Sequence, residues 1–463
     1  MTESTKDSQS VADLRAEIMQ VTVEIIGLVG RRSELGRRVG ELKTLGSMPK
    51  QDGDVEAALA KQVIAECERV GVDRRVGLKI LGTLIAESKK AQGIEERRPP
   101  SPIFYKALEL QRKGVKLLRL DVGEPDFPPP REVLEACSGA LFGLKTHYTE
   151  ARGIPELRDA LRTYLSRKHG FDAADGEVAV TPSGRFAVYA ALASVVGEGE
   201  SAVLLEPSWP AYRDALHQLG ARPSLVHTKL EDGWTPSLAQ VEEAIRPNTR
   251  AIVLSYPNNP TGKVLTPKLF KEILDLADSR GLTVISDEIY NEYTARPCPS
   301  VLDAVPKKFI LTSSFSKTWA MTGFRVGYTI SSEETIGSVS KMISLMITSV
   351  PEFIQWGALK ALTADKDVER NVRTMEERVE AACGELDKVD SLEYVKPEGA
   401  MYVFPRVKTG ETGDSVAENF MSHGVSIVPG NVFGDYAQFF RISLCQPKEV
   451  IVEGIRKMGE LLA

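Results

Sequence analysis

A lysine among small hydroxyl residues is the side chain in this sequence best placed for covalent chemistry. The segment Ser313-Ser314-Phe315-Ser316-Lys317 follows the apolar run FILT, and Arg325 comes eight residues after the lysine. At the end of a buried strand a lysine loses solvation, which lowers its pKa and makes it a nucleophile for a carbonyl carbon. The serines and Arg325 offer hydrogen-bond donors for a phosphate group. The segment therefore predicts an amine that reacts with a carbonyl compound beside a phosphate site.

Three further polar segments follow predicted strands. They are Tyr256-Pro257-Asn258-Asn259-Pro260-Thr261-Gly262, Asp287-Glu288-Ile289-Tyr290 and Thr181-Pro182-Ser183-Gly184-Arg185. The last of them opens a helix, whose free N–H groups can bind phosphate. A carboxylate near the middle of a sheet suits a protonated ring nitrogen. Each segment alone could be an ordinary turn or strand end. Together, at the strand ends where α/β folds bind ligands, they predict one cofactor site.

In these motifs residues 103–463 resemble the fold type I, class I aminotransferases. The resemblance implies pyridoxal 5'-phosphate as the cofactor, attached covalently to Lys317, which would also shuttle a proton as general acid and base. It implies that Asp287 pairs with the pyridine nitrogen, and that Tyr290 and Asn259 hydrogen-bond to the ring hydroxyl oxygen. The other implied cofactor contacts are Ser183, Gly184, Arg185, Ser314, Ser316 and Arg325 at the phosphate, Trp209 stacked on the ring, and Tyr148 at the phosphate of the other subunit.

Substrate contacts are implied in the same way. Gly123, in LDVGEPD (120–126), would meet the substrate through its backbone, and Arg441, in FRIS (440–443), would bind the α-carboxylate. Trp209 and Asn259 would line the substrate as well. No motif identifies the group that binds a side-chain carboxylate, and the candidates are Arg152, Arg185 and Arg296.

The N-terminal region contains a different constellation, built on one long helix. Read as heptads from Val11 to Leu45, nine of ten seam positions are apolar and Arg32 is the exception. Lys43 is eleven residues on and shares the face of Arg32. Arg15 lies nearly a quarter-turn off that face, so it could join the same site only from another chain or through a bend. Arg32 could instead fix the helix register, or reach solvent with its head group.

This region resembles the AroQ-type chorismate mutases over about 85 residues, in LRAEI (14–18), RRSEL (31–35), VGELK (39–43), Asp52, Glu56 and ESKKAQ (87–92). The resemblance implies two entwined chains that bind chorismate jointly, with one arginine from the partner. The implied contacts are Arg15 and Arg32 at the two carboxylates, Lys43 and Gln92 at the ether oxygen, Glu56 and Asp52 around the hydroxyl, and Ser88 beside a carboxylate. The sequence departs from the family at Val55, usually Arg, and at Thr22, usually Asp. The alternative is a silent module that only dimerises or binds an effector.

The expected architecture has two parts joined by a linker. An all-α three-helix domain is predicted at 8–92, a proline-rich linker at 93–102, and an α/β fold type I transferase at 103–463. Apolar runs such as AVLLEP (202–207) and LTVISDE (282–288) alternate with helical patterns, which is typical of a mostly parallel sheet. We expect a large cofactor-binding domain at about 145–340 and a smaller α+β domain from residues 103–144 and 341–463.

The composition argues against several other classes of protein. The chain has 463 residues, 58 basic and 64 acidic side chains and a formal charge of −6, which argues against a nucleic-acid binder. Five cysteines without a CxxC pair exclude a disulfide framework and a cysteine zinc site, and favour a reduced, cytoplasmic compartment. The scattered histidines propose no metal site. No run of about 18 apolar residues predicts a membrane span.

These patterns together predict a bifunctional homodimeric enzyme of aromatic amino-acid biosynthesis. It would rearrange chorismate to prephenate and transfer amino groups between amino acids and 2-oxo acids, with prephenate, an aromatic oxo acid, aspartate or glutamate as open choices. The first alternative is an aspartate-type aminotransferase with a silent mutase-like module. The second is a regulator with a DNA-binding head, which the first helix argues against because it is far too long for a helix-turn-helix.

Overall fold

The computed structural model describes residues 11–45, 53–92 and 102–462. The chain divides into two compact units, Met1–Arg98 and Pro99–Ala463. Within the described residues, no helix combines the length and apolar character needed to cross a membrane. The same residues contain no group of three or more His, Cys, Asp or Glu side chains that could hold a metal ion.

The first unit is a set of three helices, which are α1 (Val11–Leu45), α2 (Gly53–Val70) and α3 (Arg74–Ala91). Ala60, Leu78, Leu81 and Ile85 form a small core between α2 and α3. Helix α1 meets α3 through two glycines. A methyl group on Gly36 would lie 3.2 Å from Cβ of Ser88, and one on Gly40 would lie 3.0 Å from Cα of Gln92. The two helices are therefore in close contact at this face.

The predicted heptad seam of α1 is not buried within one chain. Ile18, Ile25 and Leu42 keep 67%, 52% and 65% of their surface exposed. Nothing else in the described part of the first unit covers this apolar stripe, although burying it would stabilise the helix by roughly 25 cal/mol per Å². The stripe is thus available to another surface.

The second unit begins with alternating helices and strands. In chain order these are α4 (Pro102–Arg112), β1 (Leu118–Arg119), α5 (Arg131–Phe142), α6 (Pro155–His169), β2 (Val178–Thr181), α7 (Gly184–Val195), β3 (Ser201–Glu206), α8 (Pro210–Gln218), β4 (Arg222–His227), α9 (Leu238–Glu243), β5 (Thr249–Ser255), α10 (Pro267–Ser279), β6 (Thr283–Asp287), β7 (Phe309–Ser314), α11 (Phe315–Thr318) and β8 (Gly327–Ser331).

Strands β2 to β8 form one seven-stranded sheet in the order β2-β8-β7-β6-β5-β3-β4. Neighbours β4, β3, β5, β6 and β7 run parallel, whereas β8 is antiparallel to both β7 and β2. The central strands are buried along their length, as expected of apolar runs covered by helices on both faces. The carboxyl ends of β5, β6 and β7 carry the polar segments predicted to form the cofactor site.

The rest of the unit is α12 (Glu333–Ile347), α13 (Glu352–Ala361), α14 (Asp365–Leu386), β9 (Leu392–Glu393), β10 (Tyr402–Val403), β11 (Arg406–Val407), α15 (Gly413–Ser422), β12 (Val425–Ser426), β13 (Val428–Pro429), β14 (Phe440–Ser443) and α16 (Lys448–Leu462). Its short strands form the pairs β1-β12 and β11-β9 and the ribbon β10-β14-β13.

A second hydrophobic core lies among these short strands. Leu120 from the start of the unit packs there with Phe420, Phe440 and Ile455. The exact limits of the two predicted domains remain a prediction. Ala358, which the sequence places in the small domain, packs in the core of the large sheet. The predicted fold class, an all-α region followed by an α/β fold type I transferase, is confirmed.

Candidate active sites

Lys317 lies on the short helix α11, directly after the buried strand β7. Its Nζ atom donates to the carbonyl oxygen of Gly123. Burial lowers the pKa of the Lys317 amine, and the positive charges of Arg441 and Arg325 lower it further. A lowered pKa favours the neutral amine, which is the nucleophilic and basic form, so burial favours the chemistry predicted for this side chain.

Asp287 ends the neighbouring strand β6 and is buried. The hydroxyl of Tyr212, on α8, donates to Oδ2 of Asp287 over 2.6 Å. Burial raises the pKa of Asp287 to about 6, and the hydrogen bond from Tyr212 opposes that increase. The site therefore holds a desolvated carboxylate, which a positively charged ring nitrogen would stabilise.

Two arginines and two strand ends form a cationic cradle beside these groups. Ser183 is the N-cap of α7 and has a φ of 95°. A methyl on Gly184 would lie 3.0 Å from Cβ of Ser314, so the two segments touch. Burial and the nearby charge of Arg325 lower the pKa of Arg185. Two guanidinium groups beside the amides of a helix N-terminus favour an anion such as a phosphate.

The predicted phosphate-side serines are packed together at the start of α11. The backbone N–H of Ser316 donates to Oγ of Ser314 over 3.0 Å, and their hydroxyl oxygens are 2.7 Å apart. On the other side of the cradle, Trp209 is the N-cap of α8. The guanidinium carbon of Arg185 lies 4.6 Å from the centre of the Trp209 ring.

Arg441, on β14, forms two hydrogen bonds through its Nη atoms, and its Nε–H has no acceptor among the described residues. Its Nη1 donates to Oδ1 of Asn259 over 2.9 Å, and its Nη2 donates to the carbonyl of Asp121 over 2.6 Å. Its Nε is buried and finds no acceptor among the described residues. An acceptor such as a substrate carboxylate would satisfy this atom.

Tyr290 and Tyr148 lie in very different surroundings. Tyr290 is buried, and its hydroxyl lies 2.7 Å from the hydroxyl of Tyr402. Tyr148 is 84% exposed. The structure of one chain does not bring Tyr148 to the cradle, and its role at the site of another subunit remains a prediction.

These residues fit pyridoxal phosphate. A buried carboxylate without a cation, a cationic cradle and a buried amine match the ring nitrogen, the phosphate and the aldehyde of that compound. Sequence reasoning missed Tyr212 and Tyr402. The position of Tyr212, three residues after Trp209 on the same helix, was the available signal for the first.

Arg32, on α1, forms hydrogen bonds with α3 within the first unit. Its Nη1 donates to the carbonyl of Leu84 and to Oγ of Ser88, and burial lowers its pKa. The guanidinium therefore does not simply reach solvent. Gln92 follows one turn after Ser88 on α3, opposite Gly40, and Lys43 is half-buried on α1. Arg32, Ser88, Gln92 and Lys43, four predicted mutase residues, thus lie along the contact between α1 and the end of α3, a face that we call the groove.

Arg15 is a predicted mutase residue that one chain does not bring to this face. Arg15 is exposed, and it precedes Arg32 by 17 residues, about 25 Å along a helix. Glu56 lies on α2, but its side chain is not among those the structure describes, and Asp52 lies outside the described residues. The single chain therefore provides part of the predicted mutase site.

The comparisons with known proteins assign both units. A family model described as aminotransferase class I and II matches residues 115–457. The chain belongs to this aminotransferase family. A second family model, chorismate mutase type II, matches residues 14–93. The predicted resemblances and the prediction of an aminotransferase joined to a chorismate mutase are confirmed.

The aminotransferase unit matches relatives over nearly their whole length. The probable aspartate/prephenate aminotransferase of Aquifex aeolicus is 35% identical over 78% of this chain and 96% of its own. The protein of that name from Thermus aquaticus is 31% identical over 80% and 99%. Among solved structures, the aspartate aminotransferase of Thermus thermophilus with maleate has a TM-score of 0.76 at 31% identity, covering 79% of this chain and 97% of its own.

Proposed function

We propose that this aminotransferase rearranges chorismate to prephenate in its helical unit and transaminates prephenate to arogenate in its α/β unit, with aspartate or glutamate as amino donor. The observation that carries the proposal is the joining, in one chain, of a chorismate mutase domain to an aminotransferase whose relatives are named aspartate/prephenate aminotransferases. The product of the first reaction would then be the substrate of the second.

Arg152, Arg185 and Arg296 are the candidates for the side chain that binds a second carboxylate of the substrate. Of the three candidates, Arg152 is already paired with Asp175, and Arg296 with Glu398. Among the described residues none forms an ion pair with Arg185, whose guanidinium lies over the Trp209 ring. Because Arg185 belongs to the phosphate cradle, we assign no side chain to the second carboxylate that aspartate and prephenate both carry.

The chemistry of the transamination site divides between cofactor and protein. When bound, pyridoxal phosphate supplies an electron sink that stabilises negative charge at the substrate α carbon. Asp287 and the Arg185 and Arg325 cradle would hold that group at its ring nitrogen and phosphate. Arg441 binds and orients the substrate α-carboxylate through its unused Nε. Lys317 Nζ, with its lowered pKa, takes the proton from the α carbon and returns it as general base and acid.

The mutase site needs no nucleophile, because the rearrangement of chorismate is a pericyclic reaction. The protein must hold a dianion in a compact conformation and stabilise charge that develops on the ether oxygen. Arg32, fixed by Leu84 and Ser88, presents its remaining N–H groups to a carboxylate. Lys43 and Gln92 lie farther along the same groove and would donate to the ether oxygen.

We propose that the enzyme is a homodimer. The apolar stripe on α1 is exposed within one chain, and Arg15 is far from Arg32 along the helix. A second α1 would cover the stripe and bring its own Arg15 to the groove. Light scattering at micromolar concentration that gives the monomer mass of 50.7 kDa would refute this part of the proposal. The five free cysteines suit the reducing cytoplasm, where we place the enzyme.

A product analysis tests the reaction sequence. Purified enzyme is incubated with chorismate, pyridoxal phosphate and either aspartate or glutamate, and we expect arogenate by mass spectrometry. Accumulation of prephenate alone would show that the aminotransferase serves another oxo acid. Chorismate that disappears only at its spontaneous rate would show a silent mutase, the outcome that Val55 in place of the usual arginine would explain.

Matched variants separate the two sites. Arg32→Ala should reduce chorismate turnover at least about a hundredfold, because a fixed guanidinium at a carboxylate is lost. Arg38→Ala is the control, since Arg38 on the same helix is exposed and pairs only with Glu34. Lys317→Ala should abolish transamination and leave chorismate turnover unchanged. Loss of chorismate turnover in the Arg38 variant would remove the assignment of Arg32.

A further inference from the structure

Tyr402, on β10, lies where several parts of the transamination site meet. Its side chain is buried, and its hydroxyl oxygen lies 2.7 Å from that of Tyr290. A methyl group on Gly123 would lie only 1.9 Å from the same hydroxyl, so the Tyr402 oxygen fills the space beside the Gly123 backbone. The carbonyl of Gly123 in turn accepts from Lys317. The Tyr402 hydroxyl and the reacting amine therefore contact the same residue, Gly123.

The ring of Tyr402 contacts a different functional group. The guanidinium carbon of Arg441 lies 4.3 Å from the ring centre, within the distance of a cation–π contact. The ring of Phe433 lies 5.0 Å from the same carbon. Tyr402 pairs with Ser443 in the β10-β14 ladder, two residues beyond Arg441, which fixes the relative position of the two side chains. One side chain thus contacts both Tyr290 and Arg441.

We propose that Tyr402 is a positioning residue for transamination. Its hydroxyl donates to the oxygen of Tyr290, which directs the Tyr290 proton towards the ring oxygen of the cofactor, and its ring holds the Arg441 guanidinium in place for the substrate carboxylate. The inference rests on the contact of Tyr290 with the ring hydroxyl oxygen that the family resemblance implies, and on the role proposed above for Arg441.

The direction of the hydrogen bond follows from counting protons. A tyrosine hydroxyl has one proton, so Tyr290 can donate to a cofactor oxygen only when it accepts from Tyr402. The titratable or charged groups around the pair are Arg441 and Cys445. Arg441 is a donor and cannot accept the Tyr290 proton. Two hydroxyls in series polarise each other, so donation by Tyr402 makes Tyr290 the stronger donor.

The visible absorbance of the covalent adduct between Lys317 and pyridoxal phosphate measures this effect without substrate. A hydrogen bond from Tyr290 to the anionic ring oxygen stabilises the deprotonated adduct and lowers its pKa. Tyr290→Phe should therefore raise the pKa of the adduct by about one to two pH units. Tyr402→Phe should raise it by about half a pH unit, a roughly threefold change in proton affinity, because only the polarisation of Tyr290 is lost. The double variant should match Tyr290→Phe alone.

The contact between the Tyr402 ring and Arg441 is tested separately, through KM for the amino donor. Tyr402→Phe keeps the contact with Arg441 and should leave KM for the amino donor unchanged. Tyr402→Leu removes that contact and should raise KM about tenfold. Tyr394→Phe is the matched control, since that hydroxyl lies 2.6 Å from Oδ1 of Asp387 and 3.1 Å from the carbonyl oxygen of Cys383. It should shift neither quantity.

Four results would overturn the inference. They are an unchanged adduct pKa in Tyr402→Phe, a shift that adds to that of Tyr290→Phe, no shift in Tyr290→Phe itself, or an unchanged KM in Tyr402→Leu. The adduct pKa requires no substrate, whereas the proposed reaction is judged by arogenate formation in the wild-type enzyme. Failure of the positioning role and failure of the proposed function are therefore distinguishable.

Discussion

Replacing Tyr212 with phenylalanine tests how the buried carboxylate of Asp287 is kept charged. Burial raises the pKa of Asp287 to about 6, whereas an aspartate in an unfolded chain titrates at about 3.9. Between these values the native state binds more protons than the unfolded state, so the free energy of unfolding falls as the pH rises. For the cofactor-free protein this loss is about 3 kcal/mol, absent below about pH 4 and complete above about pH 7.

The hydrogen bond from Tyr212, 2.6 Å long, reduces this loss by stabilising the charged form. At about pH 5 Asp287 is mostly protonated in the native state, and Tyr212→Phe should cost about 1 kcal/mol, the value of a neutral hydrogen bond. At about pH 8 the carboxylate is charged, and the cost should be about 2 to 3 kcal/mol. The difference corresponds to a rise of about one unit in the pKa of Asp287.

Guanidinium unfolding of the cofactor-free wild type and variant at both pH values measures the effect, because all other titrations cancel in the difference. Tyr436→Phe is the control. Its hydroxyl donates over 2.9 Å to the carbonyl of Thr228, which does not titrate, so its cost should be the same at both pH values. An equal cost of Tyr212→Phe at the two pH values would refute the reasoning.

Three further perturbations follow from contacts described above. Gly123→Ala places a methyl 1.9 Å from the Tyr402 hydroxyl, so the loop must move away from the reacting amine and kcat for transamination should fall at least about tenfold in a steady-state assay. Arg441→Lys keeps the charge but loses the fork geometry, and KM for the amino donor should rise about tenfold or more; an unchanged KM would place the α-carboxylate elsewhere. Gly36→Val forces α1 away from Ser88, which lies 3.2 Å from the added carbon, and chorismate turnover should be lost while transamination persists, as assayed on the same preparation.

The cofactor site was predictable from sequence because its residues lie at the ends of buried strands. Strands β5, β6 and β7 contain buried apolar runs, and the polar groups Asn259, Asp287 and Lys317 lie at the strand ends or a few residues beyond them. Parallel strands bring these ends to one edge of the sheet, so Asp287 and Lys317 needed no long-range information to be assigned to the same site.

Tyr402 was not predictable from local pattern, and the only local signal for Tyr212 was its spacing from Trp209. Tyr212 and Tyr402 contact their partners across 75 and 112 residues of sequence, respectively. Tyr402 lies in the apolar run AMYVF (400–404), where a tyrosine is an ordinary core residue. Only the packing of α8 and β10 against the strand ends shows that these hydroxyls face functional groups.

In the helical unit, hydrophobic periodicity predicted only part of how α1 packs. Periodicity predicted the seam of α1, but the face that packs on α3 within the chain is the one with Gly36 and Gly40. Small residues allow close approach of two helices without adding to a hydrophobic pattern, so a search for apolar periodicity misses them. Arg32 is the seam residue that reaches α3, whereas the apolar seam residues Ile18, Ile25 and Leu42 stay exposed within one chain.

The separation of Arg15 from Arg32 along α1 has a genetic consequence. In the proposed dimer each groove combines Arg32 of one chain with Arg15 of the partner subunit. An Arg15→Ala subunit mixed with an Arg32→Ala subunit then yields heterodimers with one doubly defective groove and one intact groove. Random reassociation of two inactive proteins would restore roughly a quarter of the grooves. Two loss-of-function alleles of one gene would thus complement each other.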